Sequence, residues 1–187
     1  MSEASKTAIV LFATGFEEVE GITQVDFLRR AGIEVTMVGV EARDVAGNHG
    51  VLVHTDVVMD DLPADPGTDA VVLPGGMPGA QNLSESPLVL SLVKRYFDSG
   101  RLVAAICAAP GVVLGRTEIL DGRQFTCYPG FQERVPRGQF VEDRVVVAGN
   151  VITSRGPGTA AEFAEAIVRY LVGSEAAERL HTTTLQR

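Results

Sequence analysis

The run Leu102-Val-Ala-Ala-Ile106-Cys107-Ala108-Ala109-Pro110-Gly111 constrains the fold more than any other stretch of this chain. A short apolar run of this kind reads as a buried strand, and it ends at a cysteine with small residues on both sides. Val112, Val113 and Leu114 then resume an apolar pattern that suits a helix. A cysteine at such a strand-to-helix corner presents its sulfur at the mouth of a parallel sheet, beside the free N–H groups of a helix start. Those groups and the positive end of the helix dipole favour thiolate over thiol. A free cysteine is also a small hydrophobe, and most are simply packed in a core. On position alone, Cys107 admits both readings.

The rest of the chain alternates strand and helix signals around this corner. Ala8–Phe12 reads as a buried strand, and Gly15 turns the chain into a helix from about Glu17 to Ala31, with Gly32 in the place of a C-terminal cap. Glu34–Val40 is rich in β-branched residues, and Arg43–Val58 holds Gly47-Asn48-His49-Gly50 between apolar runs, the mark of an antiparallel hairpin. Asp69–Leu73 is the next strand, followed by the loop Pro74-Gly-Gly-Met-Pro-Gly79. Ser86 and Pro87 supply an N-cap and first position for a helix running to about Ser99. Arg144–Val147 and Val151–Ser154 form a second hairpin around Gly149-Asn150, and Thr159-Ala-Ala-Glu162 is a capping box for a helix ending at Gly173. His181–Arg187 reads as a loose tail beyond a single domain with its core at about residues 6–173. This order predicts an α/β sandwich with a mainly parallel sheet, whose site lies at the carboxyl ends of the strands.

Composition removes several classes. A net charge of −8 and a pI near 4.9 leave no basic surface for tracking phosphates, so nucleic-acid binding is not expected. Two cysteines are too few for a disulfide framework, and Met1–Lys6 lacks the basic region of a signal peptide. No run is long enough to span a membrane, which leaves the cytoplasm as the expected compartment. The first strand is followed by no phosphate-binding glycine motif, so no nucleotide cofactor is expected. The scattered histidines, His49, His54 and His181, offer no metal-ligand spacing, and no metal is expected.

Three strand ends carry loops suited to chemistry: the glutamates after the first strand, Gly75-Gly76, and the corner at Cys107. Glu17 and Glu18 read as first-turn acids that complement the helix dipole and face water. Glu20 lies one turn in, followed by Gly21, where it can lean over the sheet as a carboxyl with a raised pKa. Gly75-Gly76 is either an ordinary turn or a close backbone approach to a reacting oxygen, completed by the N–H of Ala108.

Glu17-Glu-Val-Glu20, Arg29-Arg-Ala-Gly32, Val72-Leu-Pro-Gly-Gly76, Gly79-Ala-Gln-Asn-Leu-Ser-Glu-Ser86, Ala104-Ala-Ile-Cys-Ala-Ala-Pro110 and Thr153-Ser-Arg-Gly-Pro-Gly-Thr159 occur in that order. Together they resemble the ThiJ/PfpI superfamily, and within it the Parkinson disease protein 7 branch with its bacterial ThiJ-like members. The match runs from about Lys6 to Gly173. The resemblance implies a flavodoxin-like three-layer fold, a nucleophile elbow at the cysteine, and a homodimer. It makes Cys107 the reactive, oxidisable thiol, Glu20 its protonated carboxyl partner, and Gly76 and Ala108 the backbone donors to the reacting oxygen.

The activities it implies are a cysteine-dependent, cofactor-independent glyoxalase and deglycase, whose partners are small reactive dicarbonyls and glycated protein side chains. The alternatives are a non-enzymatic redox sensor or chaperone in which Cys107 stops at sulfinate, and a cysteine peptidase or amidase. The chain departs from the family at three places. Ala108 stands where the peptidase branch has a histidine, and Tyr128-Pro129 where animal members have histidine and proline. His49 stands where an arginine lies on the hairpin turn. Tyr128, His49 and Arg30 are therefore the auxiliary candidates, Arg30 as a residue reaching the second subunit of a family-like dimer.

Overall fold

A computed structural model describes residues 5–186, so Met1–Ala4 and Arg187, the ends of the expected leaderless start and loose tail, lie outside the described residues. Among the described residues, six α-helices and eleven strands follow in chain order: β1 (Thr7–Phe12), α1 (Glu18–Arg30), β2 (Glu34–Gly39), β3 (Asp44–Ala46), β4 (Leu52–His54), β5 (Val57–Val58), β6 (Ala70–Leu73), α2 (Gly79–Glu85), α3 (Pro87–Asp98), β7 (Leu102–Ile106), α4 (Ala109–Val112), β8 (Gln124–Phe125), β9 (Gln139–Phe140), β10 (Val145–Ala148), β11 (Val151–Ser154), α5 (Ala160–Leu171) and α6 (Ser174–Thr183). Seven strands make the central sheet in the order β10-β11-β7-β6-β1-β2-β5, parallel throughout except for the β10–β11 hairpin.

The order of the strands places the helices. From β1 the chain crosses outward through α1 to β2, whereas from β6 it crosses the opposite way through α3 to β7. Parallel crossovers are right-handed, so these two helices cover opposite faces of the sheet. Helix α5 packs on α1 and α6 on α5, while α2 packs on both α3 and α4. With both faces covered, β6 and β7 are buried at every residue, which is why their sequences carry no polar alternation. Between β1 and β6 the direction of crossing reverses, and the carboxyl ends flanking that switch point form the natural crevice of an open α/β sheet.

Most expected elements are in place, including both hairpins, the Ser86 cap (its Oγ accepts from the Val89 N–H at 3.4 Å) and the left-handed Gly32. Two expectations need correction. The Thr159 capping box is not made: the Thr159 hydroxyl turns to Gly156 and to Ser154 Oγ, and Glu162 pairs with Arg144 instead. The expected loose tail is helical through Thr183, because α6 buries Ala176, Ala177 and Leu180. Residues Gly79–Glu85 also form a helix, ahead of the Ser86 cap. Cys127 lies beyond β8. No described helix is long and apolar enough to cross a membrane.

Candidate active site

The loops after β1, β6 and β7 meet at the switch point. Cys107 is the corner between β7 and α4, and its backbone is left-handed at φ 63°. That conformation costs a non-glycine residue about 1–3 kcal/mol and persists only where the surroundings enforce it. They do so here: the Cys107 N–H donates to Ser154 O at 2.9 Å, and its carbonyl accepts from the Tyr128 N–H at 2.7 Å.

Two glycines face this corner for different reasons. Gly76 has a φ of 86°, open to few other residues. Gly75 is needed for space, since a Cβ there would lie 2.6 Å from Cys107 Cβ and 2.8 Å from Glu20 Oε2. The thiol, the glycine and the carboxyl are thus packed in direct succession.

Glu20 is fully buried. Its Oε2 accepts from the Gly75 N–H at 2.8 Å, and its own N–H donates to Glu17 Oε2 at 2.8 Å. Burial pushes the Glu20 carboxyl up to about 8 against the pull of its hydrogen bonds to Cys107 and Gly75, and the Glu17 carboxylate adds to the rise. At pH 7 it holds a proton. The Gly75 N–H marks Oε2 as the acceptor oxygen, which leaves the proton to Oε1, a buried atom with no other partner among the described residues.

The expected depression of the Cys107 thiol is outweighed. Burial pushes it up and an ionised Glu20 pushes it further, whereas the N–H groups of Gly76 and Ala108, both turned to the sulfur, pull it down. Thiol and carboxyl titrate as one pair. The carboxylate's share of the rise is absent while Glu20 is protonated, so a carboxylic acid beside the sulfur favours the thiolate.

The auxiliary candidates are dispersed. Tyr128 stands at the mouth, half-exposed, with its ring against Gly156. The side chain of His49 is exposed, and its Nδ1 meets Glu18 Oε2 at 2.8 Å, not Cys107 or Glu20. Arg30 pairs with Asp26 at 2.8 Å, ten residues on from Glu20 and so roughly 15 Å along the helix.

Glu17 and Glu18 do not face water as expected. Glu17 caps α1 through the Glu20 N–H, and Glu18 is covered by the hairpin tip, accepting from the backbone N–H groups of His49 at 2.5 Å and Val51 at 3.4 Å. Glu17, Glu18 and His49 bring ligand atoms within 4.8 Å of one another, a cluster that chain separation hid in the sequence. The Glu18 oxygens are already spent on the hairpin, so the cluster works as a clamp that presses the tip onto the start of α1.

The residues matched by a family model described as the DJ-1/PfpI family are 6–170. The Parkinson disease protein 7 homolog of Danio rerio is 42% identical over 181 residues, covering 95% of each chain. A Caenorhabditis elegans protein named glutathione-independent glyoxalase DJR-1.2 is 36% identical over 175 residues, covering 92% of each. Against Protein DJ-1 homolog A of Arabidopsis thaliana, 37% identical over 190 residues, this chain spans about half the relative's length, 48%. The crystal structure of Drosophila melanogaster DJ-1beta superposes with a TM-score of 0.93 at 41% identity, covering 97% of this chain and 98% of that one.

Proposed function

Because this chain belongs to the DJ-1/PfpI family, we propose that it is a cysteine-dependent, cofactor-independent glyoxalase and deglycase acting on methylglyoxal, glyoxal and early glycation adducts. The observation that carries this reading is the fully buried Glu20 carboxyl packed beside Cys107 across Gly75, with the Gly76 and Ala108 N–H groups turned to the sulfur. A glyoxalase-named relative adds support.

With methylglyoxal, the Cys107 sulfur adds to the aldehyde carbon and the Glu20 proton passes to the aldehyde oxygen, giving a hemithioacetal. The Glu20 carboxylate then removes the hydrogen on that carbon as a proton, and the electron pair moves onto the neighbouring carbonyl oxygen to give an enediolate. Returning that proton to the second carbon, while the hydroxyl proton on the first carbon passes to the oxygen on the second, leaves a thioester of lactic acid. Water cleaves it, the sulfur departs, and Glu20 regains its proton. One carbon is oxidised and its neighbour reduced, so no external electron carrier is needed. The Gly76 and Ala108 N–H groups would hold the negative charge that develops on oxygen.

The test is lactate formation from methylglyoxal without glutathione, for the wild-type protein, Cys107→Ser and Glu20→Gln. Lactate from the wild type alone supports the reading; none from the wild type overturns it. The same protonated carboxyl also favours a second reading, a redox sensor or chaperone in which Glu20 donates to a Cys107 sulfinate. A peptidase or amidase is poorly supported, since His49, His54 and His181 bond to Glu18, Asp44 and Glu165 and none reaches Cys107.

A further inference from the structure

The central sheet ends on one side at β10, three valines and an alanine that pair with β11 on one edge only. The Arg155 N–H donates to Arg144 O at 3.3 Å, and in an antiparallel ladder bonded pairs alternate with unbonded ones. Arg144, Val146 and Ala148 therefore turn their backbone groups to β11, and Val145 and Val147 turn theirs outward. Among the described residues, none of these outward N–H and C=O groups has a hydrogen-bond partner. Natural sheets guard such an edge with a lysine, a proline or a bulge. The register of β10 on β11 runs unbroken from Val145 to Ala148, and the strand holds neither a charge nor a proline.

Beside this edge lies a cleft of about 520 Å³ between β10 and α5. Val145 and Val147 form its strand wall and Ala166 and Tyr170 its helix wall, with Val147 56% and Tyr170 43% exposed. Val146, on the opposite face of the strand, is buried. The charges around the cleft are already paired: Glu162 accepts from Arg144 Nε at 2.7 Å, and Glu165 meets Arg169 at 2.8 Å and His181 at 3.0 Å. A strand laid against β10 would satisfy the outward groups and set alternate side chains over the cleft. There they meet valine, alanine and tyrosine, so small apolar side chains fit. A charged one would have to break an existing pair.

We infer that β10 and α5 form a docking site for an extended polypeptide segment, neutral or basic, with small apolar residues at alternate positions. A second copy of this chain suits the edge less well, since it brings another net charge of −8 to a strand of four residues. The docked segment lies three strand spacings from β7, on the order of 14 Å, so its binding is separate from the chemistry at Cys107.

The probe is a fluorescein-labelled peptide, Lys-Thr-Val-Thr-Val-Thr-Val-Lys, titrated with the wild-type protein and followed by anisotropy. Two further peptides carry N-methyl groups, one on its valines and the other on its threonines, which blocks one edge of the strand in each. One of the two should bind at least tenfold more weakly than the parent, and the other should keep its affinity. Equal affinities, whether retained or lost, overturn the inference, as does a parent peptide that does not bind. Val147→Lys guards the edge, and Val147→Pro removes one outward N–H while leaving the ladder to β11 intact. Each should weaken the parent peptide roughly threefold to tenfold with Cys107 alkylation unchanged, and wild-type affinity in both overturns the site. The N-methyl pair is read on the wild type and decides the matter even if a variant does not fold. A sedimentation mass above two chains that Val147→Lys lowers would assign the edge to a second copy and refute the inference.

Discussion

Replacing Glu20 by glutamine should stabilise this protein at neutral pH while removing its turnover. The carboxyl is lifted from 4.5 to about 8 by burial in the native state. Between those values the folded chain keeps a proton that the unfolded chain releases, so stability is fully present below the lower value and falls as pH rises toward the higher one. At about pH 7 the wild type has forfeited about 3 kcal/mol relative to its stability near pH 4. Glutamine keeps an acceptor for the Gly75 N–H and a donor on the other side of the group, and has no charge to bury. Glu20→Gln should therefore exceed the wild type by about 3 kcal/mol at neutral pH, equivalent to roughly 6–12 °C in Tm for a chain of this size. The advantage should vanish near pH 4. Urea denaturation of both proteins under reducing conditions, repeated across that range, measures it. Parallel pH dependences, or a variant less stable than the wild type at neutral pH, would refute a protonated Glu20. A variant that is more stable yet makes no lactate would separate the chemistry of the carboxyl from its place in the fold.

Iodoacetamide should label Cys107 at least tenfold faster than Cys127 near pH 7, because Cys127 is fully buried, whereas Cys107 reaches the surface at the elbow, has two N–H groups turned to its sulfur and loses the carboxylate's share of its upward shift while Glu20 is protonated. Equal labelling in the native protein, read by peptide mass spectrometry, would remove the distinction. Gly75→Ala should cost about 1–3 kcal/mol in thermal unfolding and suppress Cys107 labelling, since its methyl would collide with Cys107 Cβ. Wild-type labelling in that variant would contradict the packed succession of thiol, glycine and carboxyl. Sedimentation equilibrium at micromolar concentration should give a mass near two chains: Val19 and Ile22 are exposed on α1 at 51% and 39%, beside the Asp26–Arg30 pair, which is a face suited to a two-fold contact. A mass near one chain would sink the dimer and any role for Arg30 in a second subunit.

The parts of this molecule that were legible in its sequence are the parts decided locally. Apolar runs without alternation announced β6 and β7, turn residues announced both hairpins, and Ser86-Pro87 announced the start of α3. Glu20 was legible because a carboxyl one turn into a helix, next to a glycine, has somewhere to lean. Glu18 was not, because what buries it is a hairpin tip more than thirty residues away in the chain. Thr159 misled for a related reason. Its sequence satisfies a capping box, but Ser154 and Gly156 lie near enough to claim the hydroxyl first, and tertiary partners displaced a local one.

The thiol marks the limit of local reasoning more sharply. A cysteine before a helix start argues for a low pKa, and the two N–H groups at the sulfur do act in that direction. A helix of four residues contributes little more than the Ala108 N–H at its start, the Gly76 N–H comes from the loop after β6, and burial of the sulfur opposes both. What then favours the thiolate is the proton on Glu20, so the two residues carry one function between them. With no imidazole in reach, proton transfer at this site rests on one carboxyl. A peptidase must deliver a proton to a leaving amine while a base activates water, and one carboxyl without a histidine serves that sequence badly. A hydrogen shift between adjacent carbons asks for less: the proton taken from one carbon is returned to the next, and the same carboxyl does both. The proton economy of the site therefore argues for rearrangement over amide cleavage, on grounds separate from family membership.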